Sequence, residues 1–162
     1  PESVPGIEDL FGGLHPLSKR ILADHPVELR HVPSPVYESV EVQEPRQAVW
    51  MRTRGVLPDD PLMHRAALAY MSDLSIQEPI LRAHGIPWST PGMRVASLDH
   101  AMWWHRFGRA DEWVLYVQES PNARGGRGLG QGRIYSRDGV LLASVAQEVM
   151  VRVPDDADSP AE

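Results

Sequence analysis

Three polar side chains sit where an apolar pattern has no use for them. Asp73 lies in the run YMSDLS, Ser97 opens the stretch SLDHAMWWHR (97–106), and Gln147 falls inside SVAQEVMV. Together they offer a carboxylate, a hydroxyl and an amide, and a carboxylate that is buried can serve as a general base. Taken singly, each also has a plain structural explanation. Asp73 falls at the flank of a helical apolar stripe, beside Ala66, Ala69 and Tyr70, where a boundary carboxylate at the solvent edge is ordinary. Buried there, it would need hydrogen-bond partners and would suit a general base. A strand serine such as Ser97 is commonly tolerated polarity, and no G-x-S-x-G elbow marks it as a nucleophile. Gln147 interrupts the apolar row Leu141, Ala143, Val145, Val149, where a structural hydrogen bond is the default for a buried amide.

Other groups admit the same two readings. His100 and His105, five apart on a strand, face opposite sides and cannot chelate one ion, so a stacked or hydrogen-bonded role is expected for them and no metal. ARGGRGLGQGR (123–133) fails both G-x-G-x-x-G and the Walker pattern. It reads as a flexible connection or a Gly-rich strand, or else Arg124, Arg127 or Arg133 meets a phosphate. In DDPLMH (59–64), Asp59 and His64 straddle a helix start, as an acid–imidazole pair does in hydratases that act on acyl thioesters. Helix capping alone accounts for Asp59 or Asp60.

The elements that must position these groups are mostly strands. VELRHV (27–32), RQAVWMRTRG (46–55), SLDHAMWWHR (97–106), WVLYVQES (113–120), GRIYSR (132–137) and LLASVAQEVMVRV (141–153) alternate or are β-rich. Asp138-Gly139 predicts a tight hairpin between the last two. One segment differs. From Met63 to about His84, Met63, Ala66, Ala67, Tyr70, Met71 and Leu74 recur at helical spacing, with Pro61 at the start and Gly85 then Pro87 at the end. Pro79 predicts a kink or break just before it. One long helix among five or six strands gives an α+β layout, a helix packed on an antiparallel sheet.

The bulk numbers set limits. With 162 residues, 42% hydrophobic and 23% charged, the chain suits one domain with a real core. A net charge of -6 argues against a nucleic-acid surface. The absence of cysteine excludes disulfides and thiolate metal sites, which fits a reducing compartment. No apolar run reaches the length of about 18 residues that a membrane span needs, and no signal-peptide pattern opens the chain. The expectation is a cytoplasmic protein, since the end, Pro160-Ala161-Glu162, is no peroxisomal tripeptide. Residues 1–24 read as a linker, 25–153 as the folded domain and 154–162 as an acidic tail. Because the first residue is Pro1 and not Met, this reads as an excised segment or as one piece of a longer polypeptide.

In order, the blocks RQAVWMRTRG, LPDDPLMHRAALAYMSDL, ASLDHAMWWHR, DEWVLYVQESPNARGGRGLGQGRIYSRDG and VLLASVAQE resemble the type II acyl-CoA thioesterases, the TesB-like family. The likeness covers roughly residues 25–153. It implies a hotdog fold, a curved antiparallel sheet wrapped around a long helix. The blocks match the second of the family's two hotdog repeats, so the resemblance implies that the first is not in this sequence. The resemblance further implies an acyl-CoA substrate, no cofactor, and a water held by Asp73, Ser97 and Gln147, with Asp73 as general base. It also implies pairing with another hotdog unit, either the first repeat or another copy, and a half that is inert alone is the rival expectation. Two departures stand out. His105-Arg106-Phe107-Gly108 replaces the usual His-Arg-Pro-Phe, and Val149 replaces the glycine that usually follows Gln-Glu. Both bear on substrate shape more than on reaction type.

Overall fold

The computed structural model describes residues 1–6, 25–32, 36 and 41–154. Most of the segment read as a linker, 7–24, and the tail from 155 onward lie outside the described residues. The elements run β1 (Val27–His31), β2 (Arg46–Thr53), α1 (Pro61–Asp73), α2 (Glu78–His84), β3 (Arg94–Ser97), β4 (Ala101–Trp104), β5 (Val114–Arg124), β6 (Arg127–Ser136) and β7 (Leu141–Arg152). All strands pair antiparallel in one sheet, ordered β1-β2-β5-β6-β7-β3, with β4 also on β7. The sheet curls around the helical segment. Leu68, Met71 and Ile76 bury against Val49, Met51, Tyr116, Ile134 and Val145 in one core, as the α+β expectation requires.

The helical segment obeys its punctuation. Asp60 caps α1 by accepting from Leu62 N at 2.9 Å, and Pro61 fills the first turn. The predicted break occurs at residues 74–77, and Pro79 falls in the first turn of α2, where its missing N–H costs nothing. Gly85 ends α2 at φ 62. The buried face of α1 is not the expected stripe, however. His64, Leu68, Met71 and Ser72 face the core, while Met63 and Tyr70 are exposed. The helix is apolar on two sides, and only one of them meets this sheet.

Two strand readings need correction. SLDHAMWWHR is not one strand: β3 stops at Ser97, residues 98–100 leave the ladder, and β4 resumes at Ala101. Trp103 and Trp104 on β4 are exposed. On β7 a register shift beside Ile134 and Tyr135 changes the phase, so Leu142 is buried where Leu141 was expected, while Ala143, Val145, Gln147 and Val149 face inward as read.

The Gly-rich run resolves into a hairpin. Gly125 and Gly126, at φ 63 and 76, form the tight turn between β5 and β6. Further along β6, glycine serves close approach. A Cβ on Gly130 would stand 2.6 Å from the Ile76 carbonyl oxygen, in the break between the two helices. Because the obstacle is backbone, it cannot rotate away. Gly130→Ala is therefore expected to destabilise by about 1–3 kcal/mol, read as a lowered urea midpoint; an unchanged midpoint would refute this packing.

Candidate active site

Asp73 is the last residue of α1, Ser97 the last of β3, and Gln147 lies inside β7. Three elements far apart in sequence therefore have to converge, and they do. Ser97 Oγ donates to Asp73 Oδ1 at 2.9 Å. Gln147 Nε2 donates to the same Oδ1 at 2.6 Å and to Ser97 Oγ at 2.7 Å. Both donors meet one carboxylate oxygen, so Oδ2 takes no hydrogen bond from the described residues. Gln147 is 0% exposed, whereas Asp73 and Ser97 are exposed. The trio thus has a buried floor and an open mouth. That mouth is a hollow of about 370 Å³ lined by Ala69, Tyr70, Asp73, Ser97, Asp99 and His100.

Local chemistry holds each member in place. Ser97 ends β3 opposite Val149, and just beyond it Leu98 N donates to Glu148 O while Glu148 N donates to Asp99 Oδ1 at 2.7 Å. Leu98 and Asp99 thus stay hydrogen-bonded to β7 although they lie outside the ladder. Ser72, buried beside Asp73, gives its proton to Ala69 O at 2.8 Å. Its oxygen also lies 2.9 Å from His100 Nε2, and the two side chains share a hydrogen bond. His100 thus takes the structural hydrogen-bonding role expected of it. So does His105, whose Nε2 pairs with Ser144 Oγ at 2.9 Å.

Tyr116 on β5 went unmarked in the sequence. It is fully buried, and its hydroxyl has no hydrogen-bond partner among the described residues. Burial first, and the Asp73 charge second, push its phenol well above the ordinary tyrosine value. It stays neutral and so adds no negative charge near Asp73. Gln147 Oε1 is likewise buried without a partner. The only signal for Tyr116 was its inward phase in WVLYVQES.

The remaining candidates are not brought to the trio. Asp59 pairs with Arg109, and His64 is buried with Nδ1 accepting from Ala110 N at 3.1 Å. The two share no partner, so the acid–imidazole pair expected of a hydratase is absent. Arg109 instead clasps Asp111 at 2.8 Å, and that hydrogen bond holds the Asp111 carboxyl down to about 2. Arg133 lies 3.7 Å from Glu119 and Arg127 3.5 Å from Glu148, while Arg124 has no ion pair among the described residues. Among the described residues no group of three or more His, Asp or Glu side chains is arranged to hold a metal ion.

A sheet curled around one broken helix, with its polar trio at the sheet edge, is a hotdog unit. The acyl-CoA thioesterase family model matches residues 17–150, and the chain belongs to that family. It is 42% identical over 143 residues to human acyl-coenzyme A thioesterase 8, covering 86% of this chain and 44% of the relative. It is 37% identical over 139 residues to acyl-CoA thioesterase 2 of Haemophilus influenzae, covering 85% and 48%. Among solved structures, acyl-CoA thioesterase II TesB2 from Mycobacterium marinum superposes with a TM-score of 0.71 at 38% identity, covering 96% of this chain and 54% of that one. The chain spans about half the length of the relatives it matches. No helix among the described residues is long and apolar enough to cross a membrane.

Proposed function

We propose that this chain carries the catalytic half of an acyl-CoA thioesterase. The observation that carries the reading is the mutual bonding of Asp73, Ser97 and Gln147 at an open hollow, in a chain of this family. With Oδ1 occupied by two donors, Oδ2 of Asp73 is the atom that takes a proton from water. Ser97 and Gln147 fix the carboxylate and orient that water. The hydroxide formed attacks the thioester carbonyl carbon and gives a tetrahedral oxyanion. Collapse breaks the C–S bond, the electron pair leaves with sulfur, and Asp73 returns the proton to it. The products are a free acid and coenzyme A. No covalent enzyme intermediate is needed, because a thioester carbonyl reacts readily with a well-placed water.

The unit is expected to work paired with a second hotdog unit. The outer side of α1 exposes Leu62 (70%), Met63 and Tyr70 (51%), and β4 exposes Trp103 (54%) and Trp104. Exposed apolar residues on this scale, beside an edge strand, call for a cover, and a missing first repeat or a second copy would supply it. The half-length match to the relatives supports the same reading. On it, acyl-CoA is the substrate and the acyl chain lies against the covered surface.

Thiol release from acyl-CoAs of graded chain length tests this, with the chain alone and with the first-repeat domain added. Hydrolysis is expected, and Ser97→Ala should retain it at a rate lowered roughly tenfold, the worth of one orienting hydrogen bond. Absence of thiol release under both conditions would overturn the reading.

A further inference from the structure

Resting on the thioesterase reading, the next question is what holds the coenzyme. The chain carries a net charge of -6, and so repels a polyphosphate ligand unless a local basic surface receives it. One such surface is present. Arg94 at the start of β3 is the cross-strand partner of Arg152 near the end of β7. Arg127 opens β6 opposite Met150, two positions before Arg152, and pairs with Arg124 across the Gly125-Gly126 turn. Four neighbouring strands, β5, β6, β7 and β3, therefore each bring one arginine to the same end of the sheet. Cross-strand partners share a face, so the alternation places all four on the outer surface.

Like charges so placed repel one another unless something neutralises them. Arg127 has Glu148 at 3.5 Å. Among the described residues no carboxylate lies within ion-pair distance of Arg94, Arg124 or Arg152. A hollow of about 190 Å³ opens at the same tip, where Arg124 and Arg127 border Ile80, Ile86, Ala123 and Val151. Guanidinium groups beside an apolar slot suit a nucleotide, whose phosphates take the arginines while its base takes the slot.

The separation from the trio also suits a coenzyme thioester. Arg94 is three residues from Ser97 along β3, about 10 Å, and Arg152 is five from Gln147 along β7, about 16 Å. The pantetheine arm holds the phosphates of coenzyme A at a comparable remove from its sulfur. Ser97 and Gln147 face inward while the arginines face outward, but β3 is the outermost strand in this direction. A ligand thus passes from the hollow around the rim at Arg94. We propose that Arg94, Arg124, Arg127 and Arg152 form the phosphate-recognition site for the nucleotide end of coenzyme A.

The test compares acyl-CoA with acyl-pantetheine, which lacks the nucleotide, in the wild type, in Arg94→Ala/Arg152→Ala and in a control, Arg133→Ala, whose arginine pairs with Glu119 away from this row. The double variant should raise KM for acyl-CoA relative to acyl-pantetheine by about tenfold, with kcat on acyl-CoA kept and with Arg133→Ala unaltered. Direct binding of adenosine 3′,5′-bisphosphate to the same three proteins reads the site without catalysis, and should weaken by a similar factor only in the double variant. An unchanged KM ratio with equal nucleotide binding would overturn the arginine assignment while leaving the hydrolysis reading intact. If the chain hydrolyses no thioester but binds the nucleotide through Arg94 and Arg152, the hydrolysis reading fails and this one stands.

Discussion

Asp73→Asn is expected to lower thiol release from acyl-CoA by on the order of 10²–10⁴-fold while the protein stays folded. The substitution keeps the size of the side chain and can still accept from Ser97 and Gln147 through its amide oxygen. It replaces Oδ2, the oxygen with no partner among the described residues, by an NH₂ that cannot take a proton from water. Asp73 lies at the rim and carries no part of the apolar core, so its loss should leave the urea midpoint close to that of the wild type. Rate and stability must therefore part company in this variant. Turnover at the wild-type level would show that another group is the base, and a rate loss matched by a collapse of the midpoint would show that Asp73 is structural.

The second large effect is the converse, a loss of stability remote from the trio. Glu78 at the start of α2 is 1% exposed, yet it is fully employed. Its Oε2 lies 2.8 Å from His31 Nε2 and accepts from Gln47 Nε2 at 2.7 Å, while its Oε1 accepts from Trp88 Nε1 at 3.3 Å. Gln47 also reaches Gln118 at 2.6 Å, and Gln118 donates to Ser75 Oγ at 2.7 Å. One carboxylate thus ties β1, β2 and the segment after α2 to the helix start, and through the two glutamines it is linked to β5. Glu78→Ala should cost about 3–5 kcal/mol, because it strands buried donors that were satisfied before. Chemical denaturation measures this directly, and a loss below about 1 kcal/mol would mean that the network contributes little. Glu78 lies five residues beyond Asp73 but faces the core, so whatever folded fraction remains should retain its rate per molecule.

What could be read from the sequence follows the reach of local chemistry. Asp60, Pro61, Pro79 and Gly85 mark the ends and the break of the helical segment because capping and the proline ring act over a few residues. Asp138-Gly139 marked its hairpin for the same reason, with Gly139 at φ 82. The trio stands out in the sequence as misplaced polarity and through family likeness, and the structure brings its members together. Their roles in the reaction still rest on the proposal. What escaped was set by contacts across the fold. The buried face of α1 depends on where the sheet lies, so Met63 and Tyr70 looked like core and are not. The shift that buries Leu142 lies in the pairing of β6 with β7, which periodicity within one strand does not contain. Gly130 looked like flexibility and proved to be clearance for Ile76. The arginine row arises only when four strand ends are laid side by side.

The gap between β3 and β4 has a consequence of its own. In an unbroken ladder every rung joins two backbones, and no substitution short of proline can delete it. At Glu148 the rung is completed by the Asp99 side chain, which takes the N–H that a strand carbonyl would otherwise receive. The edge strand beside Ser97 is therefore fastened partly by genetically variable chemistry. Selection can loosen, tighten or re-aim the wall of this hollow one residue at a time while the sheet behind it stays as it is.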